Sequence, residues 1–201
     1  MGAPATPSNP RINLERASVL LVDANSQGME IMVQVFGGFG VQSPHRCYNS
    51  IEAMELVKQE TIDLIVIDAN MPEMDGYDFV RWLRRSKLEP NCAVPTIIMS
   101  GHTQSSNVRK GRDCGANFII AKPVVPQIVL ERVIWVAREN RAFIEASNYL
   151  GPDRRFHSIG PPLGTEGRRK DDLPLAVGAP STPNLSQDAI DSLFQPQKAQ
   201  L

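Results

Sequence analysis

The first ordered signal along the chain is the apolar run Val19-Leu20-Leu21-Val22, which closes on Asp23. A continuous run without polar alternation predicts a short strand buried on both faces. Residues 26–39 place Met29, Met32, Val33, Val35 and Phe36 at helical spacing, and Gly37-Gly38 ends the stripe. Residues 41–47 make a poorer strand, interrupted by Pro44 and so expected at a sheet edge. Ser50 is expected to cap a second helix, with Ile51, Met54, Leu56 and Val57 apolar and Glu52, Glu55 and Lys58 outward.

The pattern then repeats. Residues 62–67 are the clearest buried strand and close on Asp68, and Asp75-Gly76 opens a helix bearing Phe79, Val80, Trp82 and Leu83. Residues 94–99 predict a fourth strand, 105–114 a short polar helix stopped by Gly115, and 117–121 a fifth strand. A last helix is expected over 125–150. Such alternation with short connections requires crossovers, hence an α/β fold: a doubly wound (βα)5 unit with a mostly parallel five-stranded sheet and helices on both faces.

Composition sharpens the boundaries. Of the 201 residues 42% are hydrophobic and 21% charged, which is globular composition, and no apolar run approaches the ~18 residues of a membrane span. Residues 1–10 lack the basic and apolar regions of a signal peptide, so a cytoplasmic protein without a membrane partner is expected. A net charge of −1 argues against nucleic acid as the partner. The three cysteines Cys47, Cys92 and Cys114 lack metal-ligand spacing and read as reduced, half-buried thiols. The expected organisation is an arm over 1–16, an ordered domain over 17–150, a Pro- and Gly-rich linker over 151–183, and a short amphipathic docking helix over 184–195.

Ligands of open parallel sheets bind outside the carboxyl ends of the strands. Here those ends are Asp23, Asp68, Ser100 and Lys122-Pro123. Two carboxylates, a hydroxyl and an ammonium therefore converge, beside the loop Asp68-Ala69-Asn70-Met71-Pro72-Glu73-Met74-Asp75-Gly76. Any one of these residues is ordinary loop chemistry; the set in this order is not. Transfer of a phosphoryl group to a carboxylate needs a cation and an ammonium to offset the charge, and Mg²⁺ takes oxygen ligands from one or two carboxylates. Phosphate or dinucleotide cradling is disfavoured, because no G-x-x-x-x-G-K-[ST] and no G-x-G-x-x-G follows the first strand.

VLLVDAN, DLIVIDANMPEMDGYDFVRWLR, VPTIIMSGHT and NFIIAKPV resemble, in order and spacing, the receiver domain of two-component response regulators. The resemblance covers about residues 17–140. It implies a flavodoxin-like fold in which Asp68 accepts a phosphoryl group from a sensor histidine kinase or a histidine phosphotransfer protein. It further implies that Asp23, Asp68 and the Asn70 carbonyl hold Mg²⁺, while Ser100 and Lys122 contact the phosphoryl group. A cis Lys122-Pro123 peptide is implied too. The usual contact face of the family maps to about 105–140 here, where a downstream protein would dock. The expected function is a stand-alone response regulator, not an enzyme.

The pattern breaks at Ala24, where the family carries a second acid that binds Mg²⁺ directly. A methyl group cannot coordinate. Three readings follow: phosphotransfer with weaker metal affinity, a degenerate receiver that works as a phosphate-independent adaptor, or compensation by the kinase. Ile119 stands where many receivers place a switching aromatic, and Phe118 beside it faces the opposite side of the strand. His102 is given no catalytic role. Trp82 and Trp135 read as packing, and Arg81, Arg84, Arg85 and Lys87 as a solvated helix face. Val129, Val133, Val136 and Phe143 along the long last helix suggest a homodimer surface.

The chain's last periodic stretch, LSQDAIDSLF, places Ile190, Leu193 and Phe194 at i, i+3 and i+4 behind Ser186. A lone amphipathic helix without a core of its own has the form of a docking peptide. It also resembles the N-terminal segment of the flagellar motor switch protein that binds the chemotaxis receiver. Its target is either this chain's own receiver or a different one.

Overall fold

The computed structural model describes residues 13–138, 142–146, 149–153 and 184–194. Five strands form one parallel sheet in the order β2-β1-β3-β4-β5: β1 Val19–Val22, β2 His45–Cys47, β3 Leu64–Asp68, β4 Thr96–Ser100 and β5 Phe118–Ala121. The helices between them are α1 Ser26–Gly38, α2 Ser50–Gln59, α3 Gly76–Arg85, α4 Ser105–Cys114 and α5 Pro126–Arg138. This is the doubly wound arrangement that the alternation predicted, in the flavodoxin-like form that the resemblance implied. β1, β3 and β4 are buried along their whole length, as continuous apolar runs require. β2 is short and lies at an edge, where Pro44 leaves it.

Local sequence explains the entry of each helix. The Asn25 side chain accepts the amides of Gln27 and Gly28, and Asp75 accepts that of Asp78. α2 is capped by Asn49, not Ser50: the Asn49 side chain accepts the Glu52 amide. Ser50 is instead fully buried and donates its hydroxyl to the Met74 carbonyl. Gly115 ends α4 at φ +97°, a left-handed conformation suited to glycine.

The last helix is shorter than its pattern predicted. α5 stops at Arg138, and Phe143–Ala146 (β6) pairs with Tyr149–Pro152 (β7) as an antiparallel hairpin in place of the helix expected to 150. Aromatic and branched residues at 143, 144, 149 and 150 suit either reading. The hairpin wins because two glycines let it approach the sheet's end: a Cβ on Gly115 would lie 2.5 Å from the Leu150 carbonyl, and one on Gly151 would lie 2.8 Å from the Gly115 Cα.

Two further expectations change with it. Val129, Val133 and Val136 are buried in the chain's own core, so they supply no homodimer surface, and Phe143 belongs to the hairpin. Arg84 is not on a solvated face. It is 3% exposed, and its guanidinium donates to the carbonyls of Gly115 and Cys92, to Thr96 Oγ1 and to Asn117 Oδ1. Phe143 lies over it at 5.7 Å. Burial pulls the Arg84 pKa down to about 10. Cys47 and Cys114 are buried free thiols whose pKa burial pushes up to about 12, and Cys92 is partly exposed.

Of the predicted flanking segments, most of the arm (1–12) and most of the linker (154–183) lie outside the described residues. Leu14 packs on the core, and its amide donates to the Phe39 carbonyl. Gln187–Phe194 is helical (α6). Among the described residues no helix is long and apolar enough to cross a membrane.

Replacing Arg84 by Leu takes a donor from the Gly115 and Cys92 carbonyls and from Thr96 Oγ1, leaves Asn117 Oδ1 with the Thr96 amide, and removes the cation under Phe143. The expected loss is about 1–3 kcal/mol in urea unfolding. Unchanged stability would show that the guanidinium does not hold the hairpin to the sheet.

Candidate functional site

The parallel sheet brings the ends of β1, β3, β4 and β5 to one edge, and the chain there carries the predicted set. Lys122 Nζ lies 3.0 Å from Asp23 Oδ2 and 3.0 Å from Asp68 Oδ2, so one ammonium bridges two carboxylates from neighbouring strands. The Lys122-Pro123 peptide is cis. Asp23 is 1% exposed and takes a second hydrogen bond, at 2.8 Å, from the Asn25 amide to Oδ1. Asp68 is 9% exposed, and the Asn70 amide reaches its Oδ1 at 3.4 Å.

Burial alone would lower the Lys122 pKa, but the hydrogen bonds and charges of Asp68 and Asp23 outweigh it and raise the pKa. The ammonium is therefore the favoured state in the site. It supplies the positive charge that lets two buried carboxylates sit side by side.

Ser100 is buried beside this pair, but its hydroxyl faces its own loop. It donates to the His102 carbonyl at 3.0 Å and accepts the His102 amide at 3.1 Å. The Tyr77 hydroxyl stands close by. Burial raises its pKa, and a hydrogen bond with Ser100 draws it part of the way back. The His102 side chain itself is exposed.

The structure thus brings Asp23, Asp68 and Lys122 into direct contact and places Ser100 and Asn70 at the rim. Ala24 is exposed next to Asp23 and contributes no oxygen. The oxygens gathered here are the carboxylates of Asp23 and Asp68, both within 3.0 Å of Lys122 Nζ. These are hard oxygens, which suit a hard divalent ion that keeps most of its waters.

Three positions that sequence reading passed over shape the site. A Cβ on Gly28 would lie 2.5 Å from Asp23 Oδ2, so the first turn of α1 approaches the carboxylate only because residue 28 has no side chain. A Cβ on Gly76 would lie 2.2 Å from the Asp68 carbonyl, so the start of α3 is pressed against β3 in the same way. Asp75-Gly76 was legible as a helix start; the close approach to Asp68 was not. The third is Thr103, three residues past Ser100. It is buried, its hydroxyl donates to the Leu185 carbonyl at 2.8 Å, and its amide donates to Asn184 Oδ1 at 3.2 Å. No local motif marks it, because its partners are about eighty residues away.

The response regulator receiver domain family model matches residues 19–134. The chemotaxis protein CheY homolog of Campylobacter jejuni (strain 81-176) is 28% identical over 116 residues, 57% of this chain and 88% of that protein. Sensor protein EvgS of Escherichia coli (strain K12) is 26% identical over 115 residues, which are 57% of this chain but 9% of that much longer protein. Among solved structures, the chemotaxis response regulator CheY4 of Vibrio cholerae superposes with a TM-score of 0.53 at 25% identity, covering 60% of this chain and 98% of that one.

The raised Lys122 pKa has a definite sign. The ion pairs contribute stability that is fully present below the ordinary lysine value of 10.5 and is lost as pH rises through the folded value. In urea unfolding, wild type should exceed Lys122→Met in stability at neutral pH, and the gap should close only in the alkaline range above about 10.5. A gap that closes near neutral pH would contradict the bridging ammonium.

Proposed function

This chain belongs to the response regulator receiver domain family, and on that premise we propose that Asp68 accepts a phosphoryl group from a phosphohistidine. The donor is a sensor histidine kinase or a histidine phosphotransfer protein. The single observation that carries this reading is the Asp23–Lys122–Asp68 bridge, which holds an ammonium against the acceptor carboxylate.

Receiver domains of this family are signalling phosphoacceptors and generally bind Mg²⁺ at an acidic pocket. In this chain Asp23, Asp68 and the Asn70 carbonyl would hold the ion, which supplies charge neutralisation on the transferred group. Ala24 removes one carboxylate from that set, so the expected consequence is weaker affinity, not loss of the site.

The chain's own residues do the rest. One Asp68 carboxylate oxygen forms the new O–P bond as the N–P bond of the donor breaks, and the donor ring, already protonated on its other nitrogen, departs as neutral imidazole. Lys122 Nζ, already 3.0 Å from Asp68, offsets the charge arriving on the phosphoryl oxygens. The Ser100 hydroxyl turns from the His102 carbonyl to donate to a phosphoryl oxygen. That exchange moves the β4–α4 loop, the route by which the modification reaches the face formed by about 105–140. Ile119 takes no part as a rotating aromatic, since it is an aliphatic side chain only 1% exposed.

A downstream protein reads the phosphorylated state through the 105–140 face, without nucleic acid or membrane. Residues 184–195, which resemble the flagellar motor switch segment, are proposed as a receiver-docking peptide. The competing account, a degenerate adaptor on the same fold, rests on Ala24 alone.

Incubation of the full chain with a phosphorylated histidine phosphotransfer protein should add the mass of one phosphoryl group. Asp68→Asn should abolish that adduct while leaving the fold intact by circular dichroism. An adduct that survives Asp68→Asn, or none with wild type under any donor, overturns the assignment.

A further inference from the structure

Residues 184–194 do not hang from the domain; they cover one of its surfaces. α6 lies along β5, the edge strand of the sheet, between α4 and α5. Four kinds of contact fix it there.

Just before the helix, the Leu185 amide donates to the Thr103 carbonyl at 2.8 Å, Thr103 returns two hydrogen bonds to Leu185 and Asn184, and Asn184 Nδ2 donates to the Gly101 carbonyl. Gln187 then acts on the open strand edge. Its side-chain oxygen accepts the Ala121 amide at 2.8 Å and its nitrogen donates to the Ile119 carbonyl at 3.0 Å, which pairs two groups an edge strand leaves bare.

Ile190 (0% exposed) and Phe194 (6% exposed) enter the core, where Phe194 stacks on Phe118 at 5.6 Å. Phe118 in turn meets Trp135 edge-on at 4.4 Å. Finally, Asp191 pairs with Arg132, a partly buried cation over the Phe118 ring whose Nε has no hydrogen-bond partner among the described residues.

Every one of these contacts joins the segment to α4, β5, α5 or the β4–α4 loop. The surface it covers is the one through which a receiver would meet a protein partner. The segment carries Asp188 and Asp191 and no basic residue, so its charge complements Arg132.

We propose that residues 184–194 are a displaceable intramolecular ligand that holds the α4–β5–α5 face closed, so that a partner using this face must present the same chemistry and compete with it. That partner is a short acidic amphipathic helix: an amide side chain for the β5 edge, an aliphatic residue three positions on, an acid beside it for Arg132, and an aromatic one turn further. The inference deepens the reading of the segment as a receiver-docking peptide and is independent of phosphoryl acceptance. The bonds are those of a reversible contact: two apolar anchors, one ion pair and a handful of hydrogen bonds, with attachment to the same chain raising the local concentration of the ligand.

The test uses the full chain and a dye-labelled synthetic peptide with the sequence of residues 184–194, followed by fluorescence anisotropy. In wild type the resident segment occupies the face. Ile190→Asp, and separately the milder Phe194→Ala, should free it and tighten peptide binding at least about tenfold. Adding Arg132→Asp to the Ile190→Asp chain should abolish the gain, and a peptide carrying Asp191→Arg should restore it. Equal affinity of wild type and both variants for the peptide overturns self-occupancy alone. Failure of the peptide to bind any of the chains overturns the docking-peptide reading together with it. A gain insensitive to Arg132→Asp places the peptide elsewhere and overturns the proposed face.

Discussion

One ammonium between two buried carboxylates sets the terms for the rest of the molecule. Asp23 follows β1 and Asp68 ends β3, its parallel neighbour, and each carboxylate lies 3.0 Å from the same Lys122 Nζ. Two buried like charges that close repel one another. Lys122 removes the conflict because β5, on the far side of β4, delivers its side chain to the same edge. The glycines at 28 and 76 follow from the same constraint. Each permits a helix start to press against an aspartate of the pair: a Cβ at 28 would meet the Asp23 carboxylate and one at 76 the Asp68 main chain.

The site and the covered face share a single loop. Ser100 engages His102 on the side of the acceptor, and Thr103 engages Asn184 and Leu185 on the other. Gln187 bonds Ala121, the residue before Lys122. The C-terminal segment is therefore anchored on both connections that carry Ser100 and Lys122.

Much of this was legible in the sequence, because the information was local. Continuous apolar runs marked β1, β3 and β4, and the residues on which the runs close marked the site. What escaped depended on contacts distant in sequence. Arg84 sits in a helical pattern that looks solvated, and only the approach of Gly115, Thr96 and the hairpin makes it a buried hub. The helix expected over 125–150 ends at Arg138 because Phe143, Ile144, Tyr149 and Leu150 satisfy two periods at once, and the glycines at 115 and 151 make room for the hairpin. The amphipathic form of 184–194 was readable, yet its place on β5 was not: Gln187 and Arg132 acquire their roles only from each other's neighbourhood.

On the proposed function, the bridge keeps Asp68 competent although Ala24 withholds a metal ligand. The most direct measurement is the rate of phosphoryl incorporation against Mg²⁺ concentration, in wild type and in Ala24→Asp. The account predicts the same plateau in both, with wild type reaching half of it at a Mg²⁺ concentration at least about tenfold higher. Incorporation by Ala24→Asp alone, with none in wild type at any Mg²⁺ concentration, would contradict it.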